Sequence, residues 1–119
     1  MSMIRQAILS NLNRSIRMNR PIIGVSAGAG NSAKYAAMGG ADMILALNSG
    51  RFRQMGFSSL AGMMPYENSN EMVCSFGSRE ILRVVTGVPV IFGLCASDPT
   101  IDLKSYIDHV HTLGFSGIN

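Results

Sequence analysis

The chain has 119 residues, 47% of them hydrophobic and 14% charged, with a formal net charge of +3. That balance is too apolar for a disordered chain, and no run approaches the roughly 18 apolar residues of a membrane-spanning helix. The length suits a single domain spanning residues 1–119. The opening residues form no signal-peptide core, and Cys74 and Cys95 make neither a close-spaced metal pair nor a disulfide framework. Reduced thiols and a cytoplasmic location are therefore expected.

Charge is unevenly placed. Arg5, Arg14, Arg17, Arg20 and Lys34 precede the first acid, Asp42. A basic front half can draw phosphorylated ligands, anionic lipid or nucleic acid. The arginines are scattered and no aromatic residue interleaves with them, so a solvated helix face is favoured. Neither a nucleic-acid nor a membrane partner is expected.

Ile4, Ile8, Leu12 and Ile16 recur every fourth residue and predict an amphipathic helix over residues 4–18, closed by Pro21. The apolar run from Pro21 to Ser26 is too short for a helix and reads as a buried strand. Gly28-Ala29-Gly30 then turns the chain into a helix over 31–38, capped by Asn31 or Ser32 and stopped by Gly39-Gly40. Asp42 to Leu47 is a second strand. Residues 48 to 70 carry Gly50, Gly56, Gly62 and Pro65 and read as a long loop of the functional kind.

Asn68 with Glu71 forms a capping-box pattern before a helix whose one face holds Val73, Phe76, Gly77, Ile81 and Val84, with Glu80 the only polar member. Val88 to Leu94 is a third strand. Asp98-Pro99 reads as an N-cap followed by proline at the first helical position, with Leu103, Tyr106, Ile107 and Val110 as the apolar face. A fourth strand starts near Phe115. Helices and apolar strands that alternate in this way predict an α/β fold with a parallel sheet and right-handed crossovers. Either an open doubly wound sheet or part of a barrel fits, and both place function at the carboxyl ends of the strands.

Three groups stand at those ends. Gly28, Gly30 and Asn31 match the spacing of a dinucleotide-binding turn, but no acid follows about twenty residues on, so close packing or a simple anion site is preferred over nicotinamide binding. Asn48, Ser49, Arg51 and Arg53 offer hydrogen-bonding side chains and two guanidiniums suited to gripping a carboxylate or phosphate, the alternative being loop arginines that pair with a neighbouring acid. Asp98 is either a hard-cation ligand or an N-cap. Cys95 has no histidine placed beside it, and His109 and His111 lie two apart on a helix, so they do not chelate one metal.

Pro21-Ile22-Ile23-Gly24 running into Gly28-Ala29-Gly30, the run Asn48-Ser49-Gly50-Arg51-Phe52-Arg53, Ser59-Leu60-Ala61-Gly62 with Pro65-Tyr66, Ala96-Ser97-Asp98-Pro99, and Gly114-Phe115-Ser116-Gly117 occur in order along the chain. Together they resemble the N-terminal half of the TIM-barrel proteins called phosphoenolpyruvate-hydrolase-like or phosphonopyruvate-hydrolase-like. The resemblance implies a (β/α)₈ barrel acting on a small carboxylate or phosphonate anion, with Mg²⁺. It implies hydrolysis of a C–P or O–P bond, with Asp98 and Ser49 as catalytic candidates and Asp98 as metal ligand. Gly28, Gly30, Asn31, Asn48, Arg51 and Arg53 would bind substrate.

A full barrel takes about 250 residues, so four strands amount to half of one. The chain is expected to be a fragment, or to be completed by a homo-oligomeric or complementary half-barrel. The alternative from a different class is a non-catalytic barrel that binds a small acid or serves regulation or interaction.

Overall fold

The structure is a computed structural model and describes residues 3–119. Helix α1 (Arg5–Arg17) is followed by strand β1 (Gly24–Ala27), α2 (Gly30–Met38), β2 (Met43–Ala46) and α3 (Asn48–Gln54). A 3₁₀ helix (Ser59–Met63) leads to α4 (Ser69–Phe76), which runs through a π-helical turn (Gly77–Ile81) into α5 (Leu82–Val84). Strand β3 (Val90–Phe92), α6 (Leu103–Leu113) and β4 (Gly117–Ile118) complete the order. The four strands pair in sequence order, all parallel, with Gly24 opposite Met43, Ile44 opposite Val90 and Ile91 opposite Gly117. This is the expected half of a (β/α)₈ barrel, with a helix ahead of the first strand. Among the described residues no helix is long and apolar enough to cross a membrane.

Strand side chains alternate between two faces. Ile44, Ala46, Val90 and Phe92 are buried and meet Ala33, Val73, Phe76, Ile81 and Val110 from the helices. Phe115, just ahead of β4, completes this core with its ring edge-on to Phe92 at 5.0 Å. The opposite face carries Ser26, Met43, Leu45, Ile91 and Gly117, all only half-buried, with Gly24 exposed. In a closed barrel that face is the lumen, which side chains from all the strands fill.

Several sequence expectations change in detail. Residues 48 to 70 are not one loop, because α3 and the 3₁₀ helix lie inside them. Phe52 is buried there, and its ring contacts those of Phe57 and Tyr66 edge-on. The last helix begins at Leu103, not Pro99, because Asp102 accepts from the Ser105 N–H at 3.0 Å and Ser105 Oγ at 2.6 Å. Asp98 is therefore no helix cap. Helix α2 begins at Gly30, ahead of Asn31 and Ser32.

The α1 stripe is also narrower than its spacing implies. Ile4 and Ile16 are 68% and 61% exposed, while Ser15 is buried. Steps of four residues drift about 40° around a helix, so the ends of such a stripe point away from its middle. Asn19, at φ 52°, closes α1, with Asn19 N–H donating to Ile16 O and Arg20 N–H to Ser15 O. Pro21 lies beyond that stop.

Candidate functional site

Gly28 and Gly50 let β1 and α3 meet backbone to backbone. A Cβ on Gly28 would sit 2.1 Å from Arg51 N and from Gly50 C, and one on Gly50 would lie 2.9 Å from Ala27 C. Both positions are therefore closed to any side chain. Arg51 fastens the contact. Its Nη1 donates to Gly28 O at 3.1 Å and pairs with Glu80 Oε1 at 3.2 Å, and its guanidinium lies 5.6 Å from the Phe76 ring centroid.

The same Glu80 carboxylate accepts the Gly30 N–H at 3.2 Å. The start of α2 thus receives its negative charge from within the chain. The glycine turn is filled by protein, and a Cβ at Gly30 would meet Glu80 at 3.1 Å.

The π turn delivers Glu80 to this spot. Gly77 admits Phe115, whose ring carbon Cζ would lie 2.7 Å from a Cβ there. Ser78 Oγ donates to Cys74 O at 2.6 Å, competing with the regular helix ladder.

Asp98 stands in a cage of neutral donors. Its Oδ1 accepts from Thr100 Oγ1 at 2.6 Å and Thr100 N at 2.9 Å, and its Oδ2 from the amides of Asn68 and Asn70, each at 3.0 Å. The Thr100 hydroxyl and N–H, then the two amides, hold its carboxyl well below the usual carboxylate range. Asn70 is 1% exposed and also binds Cys95 from both sides, donating to its carbonyl at 3.0 Å and accepting its N–H at 2.9 Å. Tyr106 Oη donates to Asn70 O at 3.2 Å. Burial first, then the nearby Cys74 and Asp98, push the Tyr106 phenol up to about 12. Asn68 additionally caps α4 by accepting the Glu71 N–H at 2.9 Å, as its spacing predicts.

Arg53 has different surroundings. Its Nη2 donates to Ser26 Oγ at 3.0 Å and its Nη1 to Ser59 Oγ at 2.9 Å. Ser26 belongs to the lumen face, since Ala27 and its register partner Ala46 are buried on the other. The Arg53 guanidinium therefore lies at the lumen side of the sheet, near the carboxyl end of β1. It is exposed, and among the described residues it has no carboxylate within 4.0 Å. At the end of β2, Asn48 Nδ2 holds Gly62 O at 2.8 Å and Asn48 Oδ1 accepts the Ser49 N–H at 2.7 Å. Leu47, Asn48, Gly62, Ser69, Cys95 and Asn119 help line an open cleft of about 240 Å³ across the ends of β2, β3 and β4.

The sequence-selected residues thus fall into separate groups. Gly28, Gly30 and Arg51 come together as a structural clamp, while Asn48 lines the strand-end cleft and accepts the N–H of Ser49. Arg53 stands at the β1 edge and Asp98 in its own cage. Asn31 is exposed at the start of α2, where it lines a shallow groove with Lys34 and Arg79. Sequence reading missed Glu80, Asn70, Ser26 and Ser59 as partners, although the lone polar Glu80 on an apolar helix face was a usable signal.

The residues of this chain do not by themselves fit Mg²⁺. Both Asp98 oxygens already accept two hydrogen bonds, and among the described residues no three of His, Cys, Asp and Glu gather as a ligand set.

Three relatives share this sequence over most of its length. ToMV resistance protein Tm-1(GCR237) of Solanum lycopersicum is 41% identical over 114 residues, covering 96% of this chain and 15% of the relative. ToMV susceptible protein tm-1(GCR26) of the same plant matches to the same extent. A protein of Sinorhizobium fredii named "Putative transcriptional regulatory protein y4pA" is 37% identical over 115 residues, covering 96% of this chain and 19% of the relative. The chain therefore spans less than a fifth of each of these proteins. A family model described as phosphoenolpyruvate hydrolase-like matches residues 7–119. The chain belongs to the phosphoenolpyruvate hydrolase-like family.

Proposed function

We propose that this chain supplies the first four strand ends of a site for a small anionic acid, a carboxylate or phosphonate of the phosphoenolpyruvate or phosphonopyruvate kind. Arg53 is the residue that carries the reading. Its guanidinium is exposed at the lumen edge, held by two neutral hydroxyls and without a carboxylate partner among the described residues. A guanidinium in that state keeps donors and full charge for an incoming carboxylate or phosphonate. Asn48, Ser49 and the cleft across β2 to β4 orient the ligand. The lumen face, only half-buried in this chain, supports completion of the barrel by four further strands.

Binding without chemistry is the function these residues favour. General acid–base work needs a positioned titratable group, and here Glu80 is tied to Arg51 and Asp98 is caged. Hydrolysis is the second reading, supported by family membership; its acid, base and metal ligands would come from the remaining strands. Calorimetric titration of the protein with phosphoenolpyruvate and phosphonopyruvate tests the binding, and a phosphate-release assay on the same two compounds tests the hydrolysis. Saturable binding without phosphate release supports a sensing or binding role. Release of phosphate makes the protein a hydrolase.

A further inference from the structure

The basic stretch at the start of the chain takes no part in the strand-end site. Arg14 of α1 and Arg20 beyond its end instead line one small cleft with Asn11, Ser15, Asp42 and Val88. It lies at the amino ends of the strands, opposite Arg53. Both guanidiniums belong to exposed residues, and among the described residues neither has a carboxylate within 4.0 Å. Arg20 Nη2 donates to Ser15 Oγ at 3.3 Å, and Ser15 is 3% exposed, which fixes that guanidinium against the wall. Asp42, the acid among the lining residues, is engaged by the Ile23 N–H at 2.8 Å.

We infer that this cleft binds a compact anion of the phosphate class, at a site separate from the strand-end acid. Two guanidiniums offer paired N–H donors to phosphoryl oxygens, and the polar side chains of Asn11 and Ser15 stand beside them. The volume is about 140 Å³, well below the roughly 300–1,000 Å³ of sites for drug-sized ligands. A single phosphoryl group suits that space and a whole nucleotide does not. The anion is either free phosphate or the phosphoryl group of a small monoester.

The test is a titration of the isotopically labelled protein at low ionic strength, with inorganic phosphate in one arm and glycerol phosphate in the other, followed by amide shifts. The inference expects saturable shifts at Ser15, Gly87 and Val88. Arg14→Ala or Arg20→Ala weakens binding tenfold or more. Arg17→Ala, on the same helix but outside the cleft, changes it less than twofold, and Asp42→Asn tightens it. Tighter binding of the monoester identifies a phosphorylated metabolite as the ligand, and equal or weaker binding identifies free phosphate.

Absence of saturable shifts at the cleft overturns the inference, as does equal weakening by Arg17→Ala, which would reduce the effect to diffuse charge. Arg53→Ala leaves the cleft titration unchanged, so failure here and failure of the strand-end reading are told apart.

Discussion

Arg51 and Glu80 hold each other at 3.2 Å across the start of α2, and the same carboxylate takes the Gly30 N–H. The pair joins three segments distant in sequence: the β1 turn, α3 and the π turn. Both side chains are about one-third exposed, so the ion pair itself is worth under about 1 kcal/mol. The Gly28 carbonyl bond adds about 1 kcal/mol more. Arg51→Ala is expected to lower stability by about 1–2 kcal/mol and Glu80→Gln by less, read from urea unfolding midpoints. Arg53 touches the half-buried Ser26 and the exposed Ser59 hydroxyls, so Arg53→Ala moves the midpoint by less than about 0.5 kcal/mol.

Gly28→Ala tests the backbone contact beneath that pair. The added Cβ meets backbone atoms of Gly50 and Arg51 at 2.1–2.2 Å, and backbone cannot swing aside as a side chain does. A loss of about 3 kcal/mol or more is expected, at the upper end of overpacking effects. Gly40→Ala is the comparison: a Cβ there meets nothing within 4 Å, and only its φ of +98° opposes it. Its cost is expected to be about 1–2 kcal/mol. Equal midpoints for the two variants would contradict the packing account.

Much of this arrangement is readable in the sequence, and some is not, for physical reasons. The apolar runs at Ile44 and Val90, bounded by turn residues, gave β2 and β3. The Asn68 cap followed from its spacing to Glu71. Helix α3 was hidden because Asn48-Ser49-Gly50 is turn chemistry by local propensity, and the close approach of Gly50 to β1 and the burial of Phe52 against Phe57 and Tyr66 hold it as a helix. With α3 unseen, Arg51 and Arg53 looked equivalent. On a helix, residues two apart point about 200° away from each other, which sends one guanidinium to Glu80 and the other to Ser26. The start of α6 was misplaced because Asp98-Pro99 and Asp102 both offer cap patterns. Asp102 takes that role, and Asp98 instead accepts from Thr100, Asn68 and Asn70, the two asparagines lying 30 and 28 residues earlier.

Asn70 is the buried hub between α4 and the β3 loop. Asn70→Ala leaves the Cys95 N–H and carbonyl without their partner and takes one donor from Asp98, so a loss of about 2–3 kcal/mol is expected. Asn70→Asp does not restore it, because a carboxylate cannot donate to Asp98 or to the Cys95 carbonyl. Thermal unfolding of the two variants checks both statements.

Acid stability follows from Asp98. Its folded pKa is depressed, chiefly by the Thr100 hydroxyl and N–H and then by Asn68 and Asn70. A depressed carboxylate contributes stability that is present above its unfolded value of about 3.9 and is lost as pH falls through the folded pKa. Asp98→Asn is therefore expected to flatten the stability profile below about pH 4 relative to the parent. An unchanged acid limb would contradict the cage.

At the alkaline end, Tyr106 is the reporter. Burial raises its folded pKa to about 12, above its unfolded value near 10. Its contribution to stability is complete below pH 10 and is lost as pH rises toward 12. Tyrosinate absorbance is expected to show a late phase near pH 12, and Tyr106→Phe should remove it. A titration with no such phase in the parent would contradict the burial argument.

The division of labour between the two arginines is tested most directly by calorimetric titration of the parent protein, Arg53→Ala and Arg51→Ala with phosphoenolpyruvate, under conditions where circular dichroism shows all three folded. The account predicts saturable binding in the parent, weakened tenfold or more by Arg53→Ala and less than threefold by Arg51→Ala. Binding that survives in Arg53→Ala and disappears in Arg51→Ala would contradict it.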